Sequence, residues 1–209
     1  MKQLLTLIAA ALMAQTAVAQ PRDIADMQKF ETQLKETAGK LQSIESDFTQ
    51  VKHLDMFDED VVSKGRFYYL KENKISLDYS QPLNYLIVIN GSRLKIVADG
   101  KKSIMQLNSN KMMNEMQDMI TACMVGDLSR MISNYDLKFQ EDDKQYIVSI
   151  TPRNKAVKDY VSAIEIRLSK ADMSVDQLRM YENEADYTDY RFTNKRFNQL
   201  KDESRFSMQ

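Results

Sequence analysis

The sequence predicts a mainly β (α+β) fold: a strongly curved antiparallel sheet, or incomplete β-barrel, of about eleven strands with a helical lid on its concave face. Three observations support this prediction. Many segments alternate apolar and polar residues between turn signals, which is typical of strands with one buried face. An amphipathic helix precedes these segments. Seven of the fourteen methionines then fall between Met105 and Met131, at helical spacing, in the middle of the strand series.

The first predicted helix covers residues 23–40, where apolar positions recur every three or four residues. Strands are predicted near 44–54, 61–71, 74–80, 84–90, 93–98, 102–107, 135–141, 144–151, 161–169, 174–182 and 187–197. The dipeptides Asn90-Gly91 and Asp99-Gly100 indicate tight hairpins, so successive strands should be antiparallel neighbours. Complete closure into a barrel with an internal cavity is the alternative arrangement. Both arrangements predict a pocket lined by aliphatic and aromatic side chains.

The methionine-rich stretch predicts two short amphipathic helices. The first has Met112, Met113, Met116, Met119 and Ile120 on one side, and the second has Met124, Leu128, Met131 and Ile132. Methionine is unbranched and polarisable, so a methionine face can repack around ligands of different shapes. Two interpretations stay open at this point: an ordinary cover of the core, or a lid over an apolar ligand.

Residues 1–19 have the layout of a secretory signal. Lys2 precedes an apolar run that extends to about Met13, and a small-x-small motif ends at Ala19. We therefore expect export, with cleavage after Ala19, and one domain over residues 20–209. A membrane anchor is the competing interpretation, but the apolar run is shorter than the roughly 20 residues that span a bilayer.

Composition and motifs argue against several function classes. The formal net charge is −1 and no basic run occurs, so neither nucleic acid nor an anionic membrane is an expected partner. The one histidine, His53, is interpreted as a surface residue, and the acidic stretch 55–60 lacks the ligand spacing of a calcium loop. Cys123, the one cysteine, is expected to be a small buried hydrophobe. We predict no catalytic residue, no metal site and no cofactor.

Several segments resemble the LolA-like family of periplasmic outer-membrane lipoprotein carriers. In the N-terminal half they comprise Leu41, Ile44 and Ser46-Asp47-Phe48-Thr49-Gln50; Gly65, Phe67 and Tyr69; Ile75, Leu77, Tyr79 and Gln81-Pro82; and Leu86-Ile87-Val88 with Asn90-Gly91. In the C-terminal half, Tyr146, Val148 and Ile150-Thr151-Pro152 precede strands from Ile164 to Phe197 in the family's order. The order and spacing of these short motifs carry the resemblance.

This resemblance implies an incomplete barrel with a helical lid that carries the acyl chains of lipoproteins through the periplasm. It also implies an inner-membrane, ATP-driven lipoprotein-release complex that loads the carrier, and an outer-membrane acceptor. A monomer is expected. Family carriers tend to have an arginine that ties the sheet to the lid, and the alignment places Lys71 there. Because lysine lacks the planar fork of arginine, a latch at Lys71 would be of another type.

Strand alternation in the matched segments predicts the concave lining. The expected acyl-chain cavity consists of Phe67, Tyr69, Ile75, Leu77, Tyr79, Leu86, Val88, Leu94 and Ile96. The expected lid consists of Met112, Met113, Met116, Met119, Met124, Leu128 and Met131. An envelope sensor that binds lipids or lipoproteins, a carrier of other acylated lipids and an enzyme acting on lipids stay open as alternatives.

Overall fold

Twelve strands form one antiparallel sheet. The computed structural model describes residues 20–107, 111–128, 131 and 134–209. The strands are β1 (Arg22–Asp23), β2 (Ser43–His53), β3 (Val61–Leu70), β4 (Lys74–Gln81), β5 (Tyr85–Asn90), β6 (Arg93–Ala98), β7 (Lys101–Gln106), β8 (Tyr135–Glu141), β9 (Gln145–Pro152), β10 (Ala163–Ser169), β11 (Val175–Tyr181) and β12 (Tyr187–Phe197). Their spatial order is β1-β8-β9-β10-β11-β12-β2-β3-β4-β5-β6-β7, so β1 and β7 are its edges.

The described residues also form three α-helices and one short 3₁₀-helix: α1 (Met27–Lys40), α2 (Lys111–Val125), α3 (Lys155–Lys158) and the 3₁₀-helix Glu203–Phe206. Helix α1 begins after Asp26, whose carboxylate accepts a hydrogen bond of 2.9 Å from the backbone N–H of Lys29. Helix α2 ends at Val125, because Gly126 adopts a φ of +79° that interrupts helical geometry.

The mainly β fold and its eleven long strands are confirmed, with each strand boundary within two residues of its predicted position. The additional strand, β1, has two residues and is too short to show a periodicity. Its Arg22 pairs with Glu141 of β8, which is why α1 begins at Met27 and not at residue 23. Both hairpins are confirmed, although the β5–β6 loop consists of Gly91 and Ser92, because Asn90 still pairs with Arg93. Asp99 and Gly100 have positive φ, as a two-residue hairpin loop requires.

The predicted division of the methionine stretch into two helices is wrong at Met124, and residues 129–130 and 132–133 of the second predicted helix lie outside the described residues. Met124 belongs to the last turn of α2, because the helix continues without a break from Met119 to Val125. Leu128 and Met131 lie beyond Gly126. Ile132 and the predicted signal sequence, 1–19, lie outside the described residues.

Gly65 lies at the centre of a row of aromatic residues on one face of the sheet. The row crosses five neighbouring strands and contains Phe192, Phe48, Gly65, Tyr79 and Tyr85. Phe48 and Tyr79 are separated by two strand spacings, which is roughly 10 Å in a flat sheet. Their rings nevertheless meet edge to face with centroids 4.9 Å apart, above the side-chain-free Gly65.

A second contact requires the sheet to be strongly curved. The hydroxyl oxygens of Tyr79 on β4 and Tyr190 on β12 are 3.1 Å apart, within hydrogen-bond distance. These strands are three spacings apart, so upright side chains on a flat sheet would be separated by about 14 Å. The face that carries these residues is therefore the concave one.

The concave face and the helices share one large hydrophobic core. Phe30 of α1, Met119 and Met124 of α2, and apolar residues from β2–β4 and β8–β12 belong to this core. A smaller cluster lies on the convex face, where Phe206 and Met208 cover Tyr68 and Val88. The C-terminal segment is held there by Asn90, whose side-chain N–H donates to the carbonyl of Phe206 at 3.0 Å.

We expect Gly65→Ala to destabilise the fold. A Cβ atom at position 65 would lie 2.2 Å from the carbonyl oxygen of Asp78 and 2.8 Å from the ring of Phe48. Because the nearer atom belongs to the backbone, the strand has to shift, and overpacking of this kind costs about 1–3 kcal/mol. Urea denaturation measures the resulting loss in the free energy of unfolding.

Gly39→Ala is the matched control, because a Cβ atom there meets nothing within 4 Å. Its free energy of unfolding should stay the same or rise by up to about 1 kcal/mol, since Gly39 lies in α1. Equal stabilities of the two variants would contradict the close packing that we describe above Gly65.

Candidate functional site

The β3–β4 part of the concave face is filled. Phe67, Tyr69, Ile75, Leu77 and Tyr79 lie on this face as predicted, and all five are buried. They belong to the same core cluster as the buried methionines of α2. Side chains therefore fill most of this half of the expected cavity; Phe67 borders a smaller space of about 210 Å³, and Tyr69 borders a hollow described below.

The placement of Leu86 and Val88 in the cavity is wrong. Leu77 pairs with Ile87, and Tyr79 pairs with Tyr85, so Leu86 and Val88 face the convex side. There they pack against the C-terminal segment. The run from Leu86 to Ile89 is apolar on both faces, so alternation alone could not assign its sides.

The concave residues of β5 are instead Tyr85, Ile87 and Ile89, which sequence reasoning missed. Their cross-strand partners include the two remaining predicted residues. Ile96 pairs with Ile87, and Leu94 pairs with Ile89, so Leu94 and Ile96 are on the concave side. Both are partly exposed.

The predicted lid residues differ in how deeply they are buried. Met119, Met124, Leu128 and Met131 are buried, whereas Met112, Met113 and Met116 are half-buried. Met112 and Met116 pack against the core, as does Ile120. The methionine face of α2 therefore covers part of the concave side in this structure.

Two hydrogen bonds connect α2 to separate parts of the sheet, and sequence reasoning found neither. The side-chain N–H of Gln117 donates to the carbonyl of Gly91, in the β5–β6 turn, at 2.8 Å. The side-chain N–H of Asn154 donates to the carboxylate of Glu115 at 2.8 Å. Asn154 follows β9 and caps α3. Besides these two bonds, the buried residues of α2, among them Met119 and Met124, hold the helix in the core.

Lys71 lies in the loop between β3 and β4. Its backbone N–H donates to the carbonyl of Gln42 at 2.8 Å, which fixes the loop beside the end of α1. Its side chain is exposed at the rim of two hollows that are described below. A latch function for Lys71 stays a prediction.

An open apolar trough of about 810 Å³ runs between α1 and β8. Its apolar lining consists of Phe30, Leu34, Ala38, Leu128, Tyr135, Leu137 and Phe139. Phe30 holds α1 against the sheet through ring contacts with Phe139 and Tyr146, at centroid distances of 5.6 and 4.7 Å. The volume lies within the roughly 300–1,000 Å³ of ligand pockets. This trough is an unfilled apolar site next to the filled part of the concave face.

A second hollow, of about 780 Å³, adjoins the trough between α2, the β3–β4 loop and the start of β8. We call it the polar hollow. Lys71, Asp127, Tyr135 and Arg153 line both spaces, so the two are contiguous. The charged residues that line the polar hollow within the described part of the chain are three cations, Lys71, Lys111 and Arg153, and four carboxylates, Glu72, Glu115, Asp118 and Asp127.

Two residues of the polar hollow, Thr121 and Tyr135, have buried hydroxyl groups without a hydrogen-bond partner among the described residues. A buried polar group in this condition destabilises a protein by roughly 1–3 kcal/mol. Burial, together with the nearby carboxylate of Glu115, raises the pKa of Tyr135 to about 12. The phenol therefore keeps its proton at neutral pH and stays a hydrogen-bond donor.

His53 and Cys123, the two other residues with reactive side chains considered above, line neither the trough nor the polar hollow. Nδ1 of His53 is 2.7 Å from Oδ1 of Asp60, and the imidazole stacks on Tyr187 with a centroid distance of 5.0 Å. Cys123 is fully buried, and burial raises the pKa of its thiol. Within the described parts of the chain, no group of three or more His, Cys, Asp or Glu side chains is placed to hold a metal ion.

Comparison with family models matches residues 39–209 to the outer membrane lipoprotein carrier protein LolA. This chain belongs to the LolA family. The family is one of non-enzymatic carriers, and its members are typically periplasmic. Among the helices that the structure describes, none has the length and apolar character required to traverse a bilayer.

Comparison with solved structures shows the fold. The Pseudomonas aeruginosa MucA/MucB complex contains a chain with a TM-score of 0.50 and 14% identity; the match covers 86% of this chain and 59% of that chain. An uncharacterized conserved protein from Thermus thermophilus has a TM-score of 0.50 and 10% identity, with coverages of 83% and 88%. A LolA superfamily protein from Nitrosomonas europaea has a TM-score of 0.43 and 7% identity, with coverages of 83% and 96%. Comparison with curated protein sequences finds no significant match.

We expect Leu137→Glu to abolish or strongly weaken binding of a fluorescent fatty acid. Leu137 lines the apolar trough, and a carboxylate there would place a charge against the acyl chain and lose its hydration when the ligand binds. The dissociation constant should rise at least about ten-fold, and fluorescence titration measures it.

Lys138→Glu provides the matched control for this variant. Lys138 is the next residue on β8, is exposed and faces the opposite side of the sheet. Its affinity for the fatty acid should remain that of the unchanged protein. Equal affinities of both variants would show that the ligand does not occupy the trough.

Proposed function

We propose that this protein carries the acyl chains of lipoproteins across the periplasm, from the inner to the outer membrane. The observation that carries the proposal is the unfilled apolar trough between α1 and β8, in a chain that belongs to the LolA family. The methionine face of α2, which borders the hollow that adjoins this trough, supports it, since thioether side chains adapt to ligands of different shapes. We propose no catalytic step.

The energetics of acyl transfer explain why such a carrier has to enclose its cargo. Moving one methylene group from water to an apolar site gains about 0.8 kcal/mol, so an acyl chain of about sixteen carbons represents about 12 kcal/mol. A bilayer offers the same gain as the trough. The carrier therefore cannot extract a lipoprotein unaided, and an ATP-driven release complex in the inner membrane supplies the energy.

Loading starts in the trough and displaces α2. The trough is open in this structure, whereas the predicted cavity residues of β3 and β4 are buried in the same core as α2. Further acyl chains gain access to that half of the concave face when the hydrogen bonds of Gln117 and Glu115 break and α2 moves outward. An outer-membrane acceptor then receives the cargo. The predicted export signal, residues 1–19, supports a periplasmic location for the carrier.

A reversible crosslink between α2 and the residue that caps α3 should block loading. We would replace Glu115 and Asn154 by cysteine, because their side chains are hydrogen-bonded at 2.8 Å, and join them with a short reducible bis-maleimide. Cys123→Ala removes the one native thiol. The crosslinked protein should take up little triacylated peptide, and reduction of the crosslinker should restore uptake in a native mass-spectrometry assay.

A crosslink between Lys52→Cys and Glu182→Cys, in the same Cys123→Ala background, is the control. These two residues form an ion pair of 3.4 Å that joins β2 to the end of β11, away from α2. This crosslinked protein should load normally. Normal loading of the form locked at α2 would contradict the proposed movement of that helix.

The protein purified from its native envelope should retain an acylated protein in native mass spectrometry. Retention of a lipid that is not attached to a polypeptide would instead favour a carrier of other acylated lipids. An envelope sensor would be favoured by two results together. The protein would co-purify in a stable complex with a membrane signalling protein, and it would not transfer lipoproteins between vesicles. Turnover of the bound lipid would contradict a carrier function.

A further inference from the structure

We propose that the polar hollow binds the uncharged ester and amide linkages of a lipoprotein's acylated cysteine, with the hydroxyl groups of Tyr135 and Thr121 as its hydrogen-bond partners. This inference rests on the proposed function and assigns a separate site to the polar part of the cargo. The trough would hold the acyl chain, and the polar hollow the region where the chain is joined to cysteine.

The positions of the two spaces support this division. Tyr135 lines both, so its side chain lies at their junction. The trough side of this junction is formed by Leu137 and Phe139, whereas the polar hollow contains Thr121, Asn73 and Asn154 beside apolar residues of α2 such as Met119. An amphiphile with an apolar chain and a compact polar linkage therefore has a matching environment on each side of Tyr135.

The two hydroxyl groups match the chemistry of ester and amide linkages. Tyr135 and Thr121 are 4% and 8% exposed, and their oxygens have no hydrogen-bond partner within the described part of the chain. A protonated phenol donates, and ester carbonyl oxygens accept. Both oxygens are buried in this structure, so a ligand carbonyl reaches them only when these side chains turn toward the junction, where it satisfies a donor that the protein leaves unpaired.

The charges around the polar hollow favour a neutral linkage over a phosphate. Among the described residues, four carboxylates and three cations line it, so these residues provide no excess positive charge to attract an anion. Arg153 is moreover paired with Asp136 at 2.8 Å. A phospholipid would have to place its phosphate beside these carboxylates. The site is therefore expected to discriminate against anionic phospholipids that have the same acyl chains.

Tyr135→Phe and Thr121→Val test the proposal, because each removes a hydroxyl group while keeping the shape of the side chain. The probes are a synthetic triacylated lipopeptide, a fluorescent hydrocarbon without polar groups, and phosphatidylglycerol. Each variant should weaken lipopeptide binding by about three- to ten-fold, the effect of one lost hydrogen bond. Affinity for the hydrocarbon should change less than two-fold. The unchanged protein should bind phosphatidylglycerol at least ten-fold more weakly than the lipopeptide.

Two further variants serve as controls. Tyr68→Phe alters a buried tyrosine of the convex cluster and should leave all affinities unchanged. Thr121→Ser keeps the hydroxyl group and should bind the lipopeptide like the unchanged protein. Thermal unfolding verifies that each variant is folded before its affinity is measured.

The outcomes separate this inference from the proposed function. Unaltered lipopeptide affinity in both Tyr135→Phe and Thr121→Val, with hydrocarbon binding intact, would overturn the assigned linkage site alone. Equal or tighter binding of phosphatidylglycerol would also overturn it. If the unchanged protein binds neither the lipopeptide nor the hydrocarbon, the proposed carrier function fails, and the linkage site fails with it.

Discussion

The contact of Phe48 with Tyr79 above Gly65 is the constraint on which the rest of the structure depends. Only a residue without a side chain allows these two rings to meet across the strand that separates them. Their contact, continued by the hydroxyl contact of Tyr79 with Tyr190, requires the sheet to curve. Curvature in turn directs the apolar side chains of β2–β4 and β8–β12 toward one common space.

That common space is filled unequally. Helix α2 contributes buried methionines to the core that contains the β3 and β4 residues, whereas α1 contributes one buried side chain, Phe30, near the opposite end of the sheet. The trough remains open because the rest of α1 does not reach deeply into the core. An apolar ligand can therefore enter beside α1 before α2 moves, which links packing to the proposed order of loading.

Alternation and turn residues were enough to predict the strands, the hairpins and the concave placement of Phe67 and Leu77. They failed where both faces are apolar, as at Leu86 and Val88, whose sides are decided by pairing with β4. The trough was not predictable, because it depends on how far α1 lies from β8. The unpaired hydroxyl groups of Thr121 and Tyr135 were equally hidden, since only a folded chain shows which polar groups lack partners.

The most direct test of the central claim is to map where a photoreactive fatty acid attaches to the purified protein. After irradiation and proteolysis, mass spectrometry identifies the labelled residues. We predict labels on the trough residues Phe30, Leu34, Leu137 and Phe139, and their loss when unlabelled lipopeptide competes. Labels confined to the convex residues Leu86 and Val88, or labels that lipopeptide does not displace, would contradict the account.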